Sequence, residues 1–408
     1  MAEYRITLTF SSSDPLHREN LALCLVLLIA TFGFVLRFYD LGNESLWIDE
    51  TLTLIFSRQS LASLWYPSGE ADLTPPLWYT LQKAWLVFGE SEFALRTPAA
   101  LAGVLAVPVM FAVGRLTSGF RAGLLASLLL ATSGVHLYYS QEARAYSLLF
   151  LSAAIALWGL IYILANPPRS MAAFSARADL DKRRQAQLAW AAYGFGTLLA
   201  LYSHNTAVLL QVWANVCWLI VWLRTGRNRP FLLAWVLINA VVTMAFAWWL
   251  PIVVHQSVGT LATFPTGKRT ASLAVMIDLI RSVYGIRYVP MLAGTTAAIS
   301  LTLAGFGSWR LRRNLAANLV LTGVVIFVPA VSAIFSLWRP ILVDRILVWP
   351  VSALLVLVAI GIVGLPRLPA VLVTVVMIGL NSIGLLNYYQ TTLKPDWRCG
   401  SYGSCRYG

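Results

Sequence analysis

Charge is scarce in this 408-residue chain: Asp, Glu, Lys and Arg make up 12% of it, against 59% hydrophobic residues. Soluble domains carry about a quarter charged residues, so a water-soluble fold of this length is excluded. Gly and Pro are too few for a fibrous or disordered chain. Internal repeats and low-complexity tracts are lacking. The four cysteines decide little. Cys24 and Cys217 lie in apolar runs, where cysteine behaves as a small hydrophobe. Cys399 and Cys405 stand in a polar tail and would pair only in an oxidising compartment. No cleavable signal sequence is evident, since the first apolar run lacks a small-residue cleavage site and is long enough to stay as an anchor.

What the chain has is apolar runs of the length a bilayer-spanning helix requires, about 20 residues. Eleven spans are expected, near 21–39, 97–116, 122–138, 146–165, 188–202, 207–223, 232–254, 291–309, 316–337, 346–364 and 370–388. The short fifth reads equally as a re-entrant segment. The fold class is therefore an all-α polytopic membrane protein, with one membrane module over 1–390 and a short tail over 391–408.

The net charge of +13 would point to nucleic acid in a soluble protein. Here membrane topology explains it, and no nucleic-acid partner is expected. With the N-terminus inside, the inner segments hold sixteen bases, among them Arg115, Arg121, Lys182, Arg224, Arg310 and Arg367, against five acids. Lys and Arg mark cytoplasmic loops, so the N-terminus is expected inside, and the first loop and C-terminus outside.

That first outer loop, 40–96, holds the densest group of acids: Asp40, Glu44, Asp49, Glu50, Glu70, Asp72, Glu90 and Glu92. It is too apolar to be plainly solvated. Leu52–Phe56, Leu61–Tyr66 and Leu77–Phe88 read as short interfacial helices, with Trp47, Trp65, Trp78 and Trp85 as the aromatic belt. Asp49 and Glu50, in Trp47-Ile48-Asp49-Glu50-Thr51, are candidate catalytic acids. A carboxylate stripped of some hydration is a better proton acceptor, and adjacent acids can share a divalent metal that screens a phosphate. The same pair also suits the first turn of a helix, where negative charge meets the dipole. On pattern alone both readings stand.

Other candidates lie on the same side. Tyr139-Ser140-Gln141-Glu142-Ala143-Arg144-Ala145-Tyr146 occupies the turn between spans three and four. Arg144 has the planar fork that grips a phosphate, and Glu142 is placed to orient it or to join a metal site with Asp49. An inconsequential interfacial ion pair is the plainer reading. His204 heads the outer end of span five as a possible ligand or a backbone-bonded interfacial side chain. Arg345 opens span ten, where it either snorkels or binds a lipid phosphate. Lys268 and Arg269, in the second long outer loop, are candidates to hold an anionic lipid substrate or are simply solvated.

Taken together, these motifs resemble a known family. Trp47-Ile48-Asp49-Glu50-Thr51, Thr74-Pro75-Pro76-Leu77-Trp78-Tyr79, Gly89-Glu90-Ser91-Glu92-Phe93-Ala94-Leu95-Arg96 and the Gln141-Glu142-Ala143-Arg144 turn resemble the protein O-mannosyltransferase-type superfamily of GT-C glycosyltransferases. Lipid A aminoarabinose transferases are among its members. The resemblance is strongest over 36–160. It implies a GT-C fold, with interfacial helices in the first outer loop. It also implies inverting transfer of a sugar from a polyprenyl-phosphate carrier to a hydroxyl of a cell-envelope lipid, glycan or protein on the outer face of the inner membrane. Carried over by position, Asp49 matches the first-loop catalytic acid and Glu50 its acidic neighbour. Glu142 and Arg144 match the second-loop motif, and Arg345 matches a candidate carrier-phosphate position. Arg96, His204, Lys268 and Arg269 complete the expected substrate- and phosphate-binding set. A divalent metal, Mg or Mn, is expected on Asp49 and Glu142. Many relatives continue into a soluble outer domain, and the tail over 391–408 is expected to be a remnant of one.

Two other functions compete. A flippase of lipid-linked sugars would favour inverted repeats and broken helices at the midplane. A non-catalytic relative would bind the carrier without turning it over.

Overall fold

The computed structural model describes residues 15–66, 74–168, 180–259, 273–286, 289–337 and 343–391. Among the described residues every regular element is a helix. In chain order these are α1 (Pro15–Phe38), α2 (Ile48–Arg58), α3 (Leu61–Trp65), α4 (Leu77–Trp85), α5 (Glu92–Ser118), α6 (Phe120–Ala131), α7 (Gly134–Ser140), α8 (Tyr146–Ala165) and α9 (Leu180–Ser203). They continue with α10 (Val208–Arg224), α11 (Arg229–Ala247), α12 (Leu250–Gly259), α13 (Leu273–Tyr284), α14 (Pro290–Arg310), α15 (Leu315–Ser336), α16 (Val351–Val363) and α17 (Arg367–Gln390).

Eight of these are long and apolar enough to cross a membrane: α1, α5, α8, α10, α11, α14, α15 and α17. The pair α6 and α7, bent by 58°, is a ninth if the two are taken as one broken span rather than a re-entrant loop. The eleven-span expectation differs at α9 and α16, for physical reasons. α9 starts with Asp181, Lys182, Arg183 and Arg184, which dilute its apolar character. α16 has only 13 residues, nearly all buried; protein rather than lipid surrounds it, so it has no need of the full bilayer length. The expected interfacial helices of the first loop are present as α2, α3 and α4.

Packing follows membrane rules. Helices in lipid associate through small residues that let backbones approach. Where α8 meets α9, a Cβ on Gly159 would lie 2.4 Å from the Ala189 carbonyl, and one on Gly196 would lie 2.7 Å from the Ala156 nitrogen. The bend between α6 and α7 frees carbonyls that lipid cannot satisfy. Arg37 of α1 satisfies them: buried completely, it donates to Leu130 O at 3.2 Å and Ala131 O at 3.3 Å.

The helices sort their ends. One end gathers the first-loop helices, the 141–145 turn, the α9–α10 connection and the start of the 344–347 turn. The other gathers the ends of α8, α10 and α14, held by contacts such as Asn228 Nδ2 to Pro168 O at 2.7 Å and Arg115 to Glu19 at 4.0 Å. The arginine-rich connections 224–229 and 310–313, with Arg121 and Arg367, share this second end.

Candidate active site

The site is built on α2. Trp47 is extended, and α2 begins with Asp49 and Glu50 in its first turn. Adjacent positions on a helix point about 100° apart, so these two acids part company. Glu50 turns inward and is fully buried. It accepts from the Trp47 N–H, capping its own helix, and from the Ala143 N–H at 2.8 Å. It also takes two parallel bonds from Arg96 of α5, Nε to Oε1 and Nη2 to Oε2, each at 2.8 Å.

Arg96 uses every donor it has. Beyond Glu50 it donates to the carbonyls of Leu41, Glu44 and Ser45 at 2.9–3.0 Å. A guanidinium carries five N–H donors, and five bonds leave none for a phosphate. The structure thus places Glu50 and Arg96, expected as a catalytic acid and a phosphate ligand, in a structural pair that pins the 41–45 loop and the 141–145 turn to the bundle.

Asp49 turns the other way and stays partly exposed. Its Oδ2 lies 2.9 Å from Arg345 Nη1, with side-chain exposures of 20% and 42% respectively. Desolvation works against the charged Arg345 guanidinium, but the neighbouring Tyr146 and Asp49 outweigh it and hold it above its ordinary value.

Arg144 sits just beneath, 8% exposed. It donates to Tyr79 Oη at 3.2 Å and Thr74 Oγ1 at 3.1 Å, with longer contacts to Thr53 Oγ1 and Asp49 O at 3.4 Å. Trp78 Nε1 donates to Ala143 O at 3.1 Å. The Thr-Pro-Pro-Leu-Trp-Tyr segment thus docks on the Gln-Glu-Ala-Arg turn, which explains why both motifs occur in one chain. Gln141 anchors the turn's other side, donating to Arg37 O and Tyr39 O and accepting from Tyr388 Oη at 2.6 Å.

Tyr146 is the hub. Its hydroxyl is under the electrostatic influence of Arg144, Arg345, Glu142 and Asp49 together. Its ring centroid lies 6.0 Å from that of His204. His204 itself caps the short turn after α9, accepting from the Thr206 N–H at 3.2 Å. Of the expected site residues, Asp49, Glu142, Arg144 and Arg345 therefore converge, with His204 one ring away. Lys268 and Arg269 lie outside the described residues, as does the tail with Cys399 and Cys405.

Sequence reading assigned no part in the site to Tyr146, Tyr79 or Thr74, although all three stand inside the quoted motifs. It also passed over Arg37, which pairs with the buried His136 Nδ1 at 2.9 Å. The available signal was an arginine within an apolar span, a rare and costly placement.

Among the described residues no group of three or more His, Cys, Asp or Glu could hold a metal ion. Asp49 and Glu142, the two carboxylates expected to hold one, both act on the Tyr146 hydroxyl. A pair of carboxylates is the sparse protein share Mg²⁺ takes when substrate phosphates supply the rest.

No family model and no curated protein matches the sequence. Solved structures do match the fold. ArnT from Cupriavidus metallidurans in the apo state is 18% identical, with a TM-score of 0.58 over 85% of this chain and 61% of that one. The same protein bound to undecaprenyl phosphate is 19% identical, with a TM-score of 0.55 over 86% of this chain and 61% of that one. The archaeal oligosaccharyltransferase AglB from Archaeoglobus fulgidus, in complex with an inhibitory peptide and a dolichol-phosphate, is 12% identical. Its TM-score is 0.60, over 93% of this chain and 57% of that one. The chain spans about three fifths of the length of these proteins. Both are GT-C superfamily members, and at these identities the likeness concerns architecture: the chain has the GT-C fold, which its first-loop and Gln-Glu-Ala-Arg motifs resemble.

Proposed function

We propose that the protein is an integral membrane glycosyltransferase. It takes a sugar from a polyprenyl-phosphate carrier and passes it, with inversion, to a hydroxyl of an envelope glycolipid, glycan or protein. The observation that carries this reading is the Asp49–Arg345 contact, set in one cluster with Arg144, Glu142 and Tyr146 at the loop-lined end of the bundle. One carboxylate and two guanidiniums, brought from three distant segments to a membrane surface, match the needs of phosphate displacement. The charge sorting of the helix ends supports an inner-membrane protein with a cytoplasmic N-terminus and an outward-facing site. The undecaprenyl phosphate and dolichol-phosphate in the matching structures support a lipid-phosphate donor.

The acceptor hydroxyl is a poor nucleophile, and Asp49 takes its proton as its oxygen attacks the anomeric carbon. The bond from that carbon to the phosphate oxygen breaks, and its electron pair leaves with the polyprenyl phosphate. Arg345 neutralises the charge that grows there, while Arg144 holds Thr74 and Tyr79 against the turn that carries Glu142. A single displacement inverts the centre, so no second nucleophilic carboxylate is needed. Asp49 and Glu142 would hold a divalent Mg or Mn ion alongside the carrier phosphate, where it would supply further neutralisation of that charge.

The test is sugar transfer in reconstituted membranes, with a panel of polyprenyl-phosphate sugars and envelope acceptors, comparing wild type with Asp49→Asn. Transfer that collapses in the variant is expected. Equal transfer by both would remove Asp49 from the role of base. Tight carrier binding without transfer from any donor would leave a carrier-binding protein instead.

A further inference from the structure

At the end of the bundle opposite Asp49, α6 and α17 leave a groove of about 470 Å³ between them, with the last turn of α16 as its floor. Leu125, Ile362, Val371 and Val375 give it an apolar lining, and no carboxylate lines it. Arg121 and Arg367 stand in the same groove. Both are exposed, and neither has an ion-pair or hydrogen-bond partner among the described residues.

The arrangement is ordered along the helices. On α17, Arg367, Val371, Thr374 and Val375 fall at i, i+4, i+7 and i+8, which is one helix face. On α6, Arg121 and Leu125 stand at i and i+4. Each face thus starts with a cation at the helix end and turns apolar toward the middle of the bundle. Two cations at the water boundary above an apolar trough have the charge and polarity order of a phospholipid, inverted in sign. Basic recesses between membrane helices bind anionic headgroups by this complementarity.

We propose that this groove binds one anionic phospholipid in the leaflet opposite the candidate active site, its phosphate on Arg121 and Arg367 and an acyl chain against Leu125, Ile362 and Val371. An arginine donates a fork to two phosphate oxygens, and a lipid with no ammonium group leaves that attraction undiminished. The site is independent of the glycosyltransferase reading: it lies at the far end of the bundle and shares no residue with it.

The experiment is native mass spectrometry of the full chain, exchanged into mixed micelles of phosphatidylglycerol and phosphatidylcholine. Wild type is expected to keep one phosphatidylglycerol in preference to phosphatidylcholine. R121Q/R367Q should lose it, by about five-fold in affinity per arginine and thus about 25-fold for the pair. R224Q/R229Q removes two exposed arginines from the same end outside the groove, and should bind as wild type does. V371W keeps both arginines but fills the trough, and should lower occupancy as well; it keeps the question open to measurement if the double variant fails to fold. Equal retention of both lipids by wild type would overturn the proposal. So would unchanged binding by both R121Q/R367Q and V371W, or a loss in R224Q/R229Q as large as that in R121Q/R367Q, which would mark a diffuse surface charge.

Discussion

Arg345 Nη1 stands 2.9 Å from Asp49 Oδ2, joining residues 296 positions apart in sequence. The cation suited to the carrier phosphate therefore rests on the carboxylate suited to the acceptor proton. A phosphate arriving at Arg345 competes with Asp49 for the same guanidinium, and its binding would release the base where the acceptor must be deprotonated.

Asp49→Asn should lower transfer by about 10²–10⁴-fold, the usual contribution of a positioned general base. With chelator present, so that no metal links Asp49 to the carrier, it should not weaken carrier binding. Asn leaves Arg345 without its anionic competitor, so carrier affinity is expected to equal or exceed that of wild type. Transfer rates and carrier titration on one reconstituted preparation measure both. A variant that loses transfer and carrier binding together would place Asp49 in the binding of the carrier rather than in proton transfer.

Arg345→Gln and Arg345→Lys separate charge from shape. Hydrogen bonds to charged groups are worth about 1.5–3 kcal/mol, so Gln should weaken carrier binding by about 10- to 150-fold. Lys keeps the charge but lacks the planar fork, and should fall between the two. The readout is KM for the carrier, with acceptor KM as the internal control. A change confined to the acceptor would refute the assignment.

The fold was legible in this chain to the extent that periodicity and apolar length determine it. The long spans and the three first-loop helices could be read because each carries its own hydrophobic signal. α9 and α16 could not be sized: the charged start of α9, Asp181 to Arg184, masks its helix, and α16 is short because protein rather than lipid surrounds it. Asp49 and Glu50 were indistinguishable as letters. Only the direction of α2, fixed by Arg96 from 46 residues away, sends one acid into the core and the other toward Arg345. Tyr146 was hidden for a related reason, since a tyrosine's role depends on four charges drawn from three other segments.

Glu50 and Arg96 should matter for stability rather than for turnover. Removing one partner of a buried pair leaves an uncompensated charge and costs about 3–5 kcal/mol. Glu50→Gln and Arg96→Met should each lower the thermal midpoint and the yield of monodisperse protein. A double variant, Glu50→Gln with Arg96→Met, removes both charges and should be less destabilised than the sum of the singles. Folded fractions of these variants should keep a wild-type KM for the carrier. A raised carrier KM in well-folded Arg96→Met would return Arg96 to phosphate binding.

The remaining question is whether Asp49 and Glu142 work beside a metal. Both act on the Tyr146 hydroxyl, with Arg144 and Arg345 in the same cluster, so two cations already offset charge at the site. An ion added there would be held weakly by two carboxylates and firmly only with the carrier phosphate in place, as Mg²⁺ sites commonly are. Chelation should therefore lower transfer and carrier affinity together, with Mg²⁺ or Mn²⁺ restoring both. Glu142→Gln should raise the metal concentration needed for half-maximal transfer. Glu50→Gln, in whatever fraction folds, should leave that concentration unchanged, because its carboxylate is taken up by Arg96. Transfer insensitive to chelator in wild type would mean that Arg345 and Arg144 neutralise the leaving phosphate by themselves, with Glu142 serving to hold their turn in place.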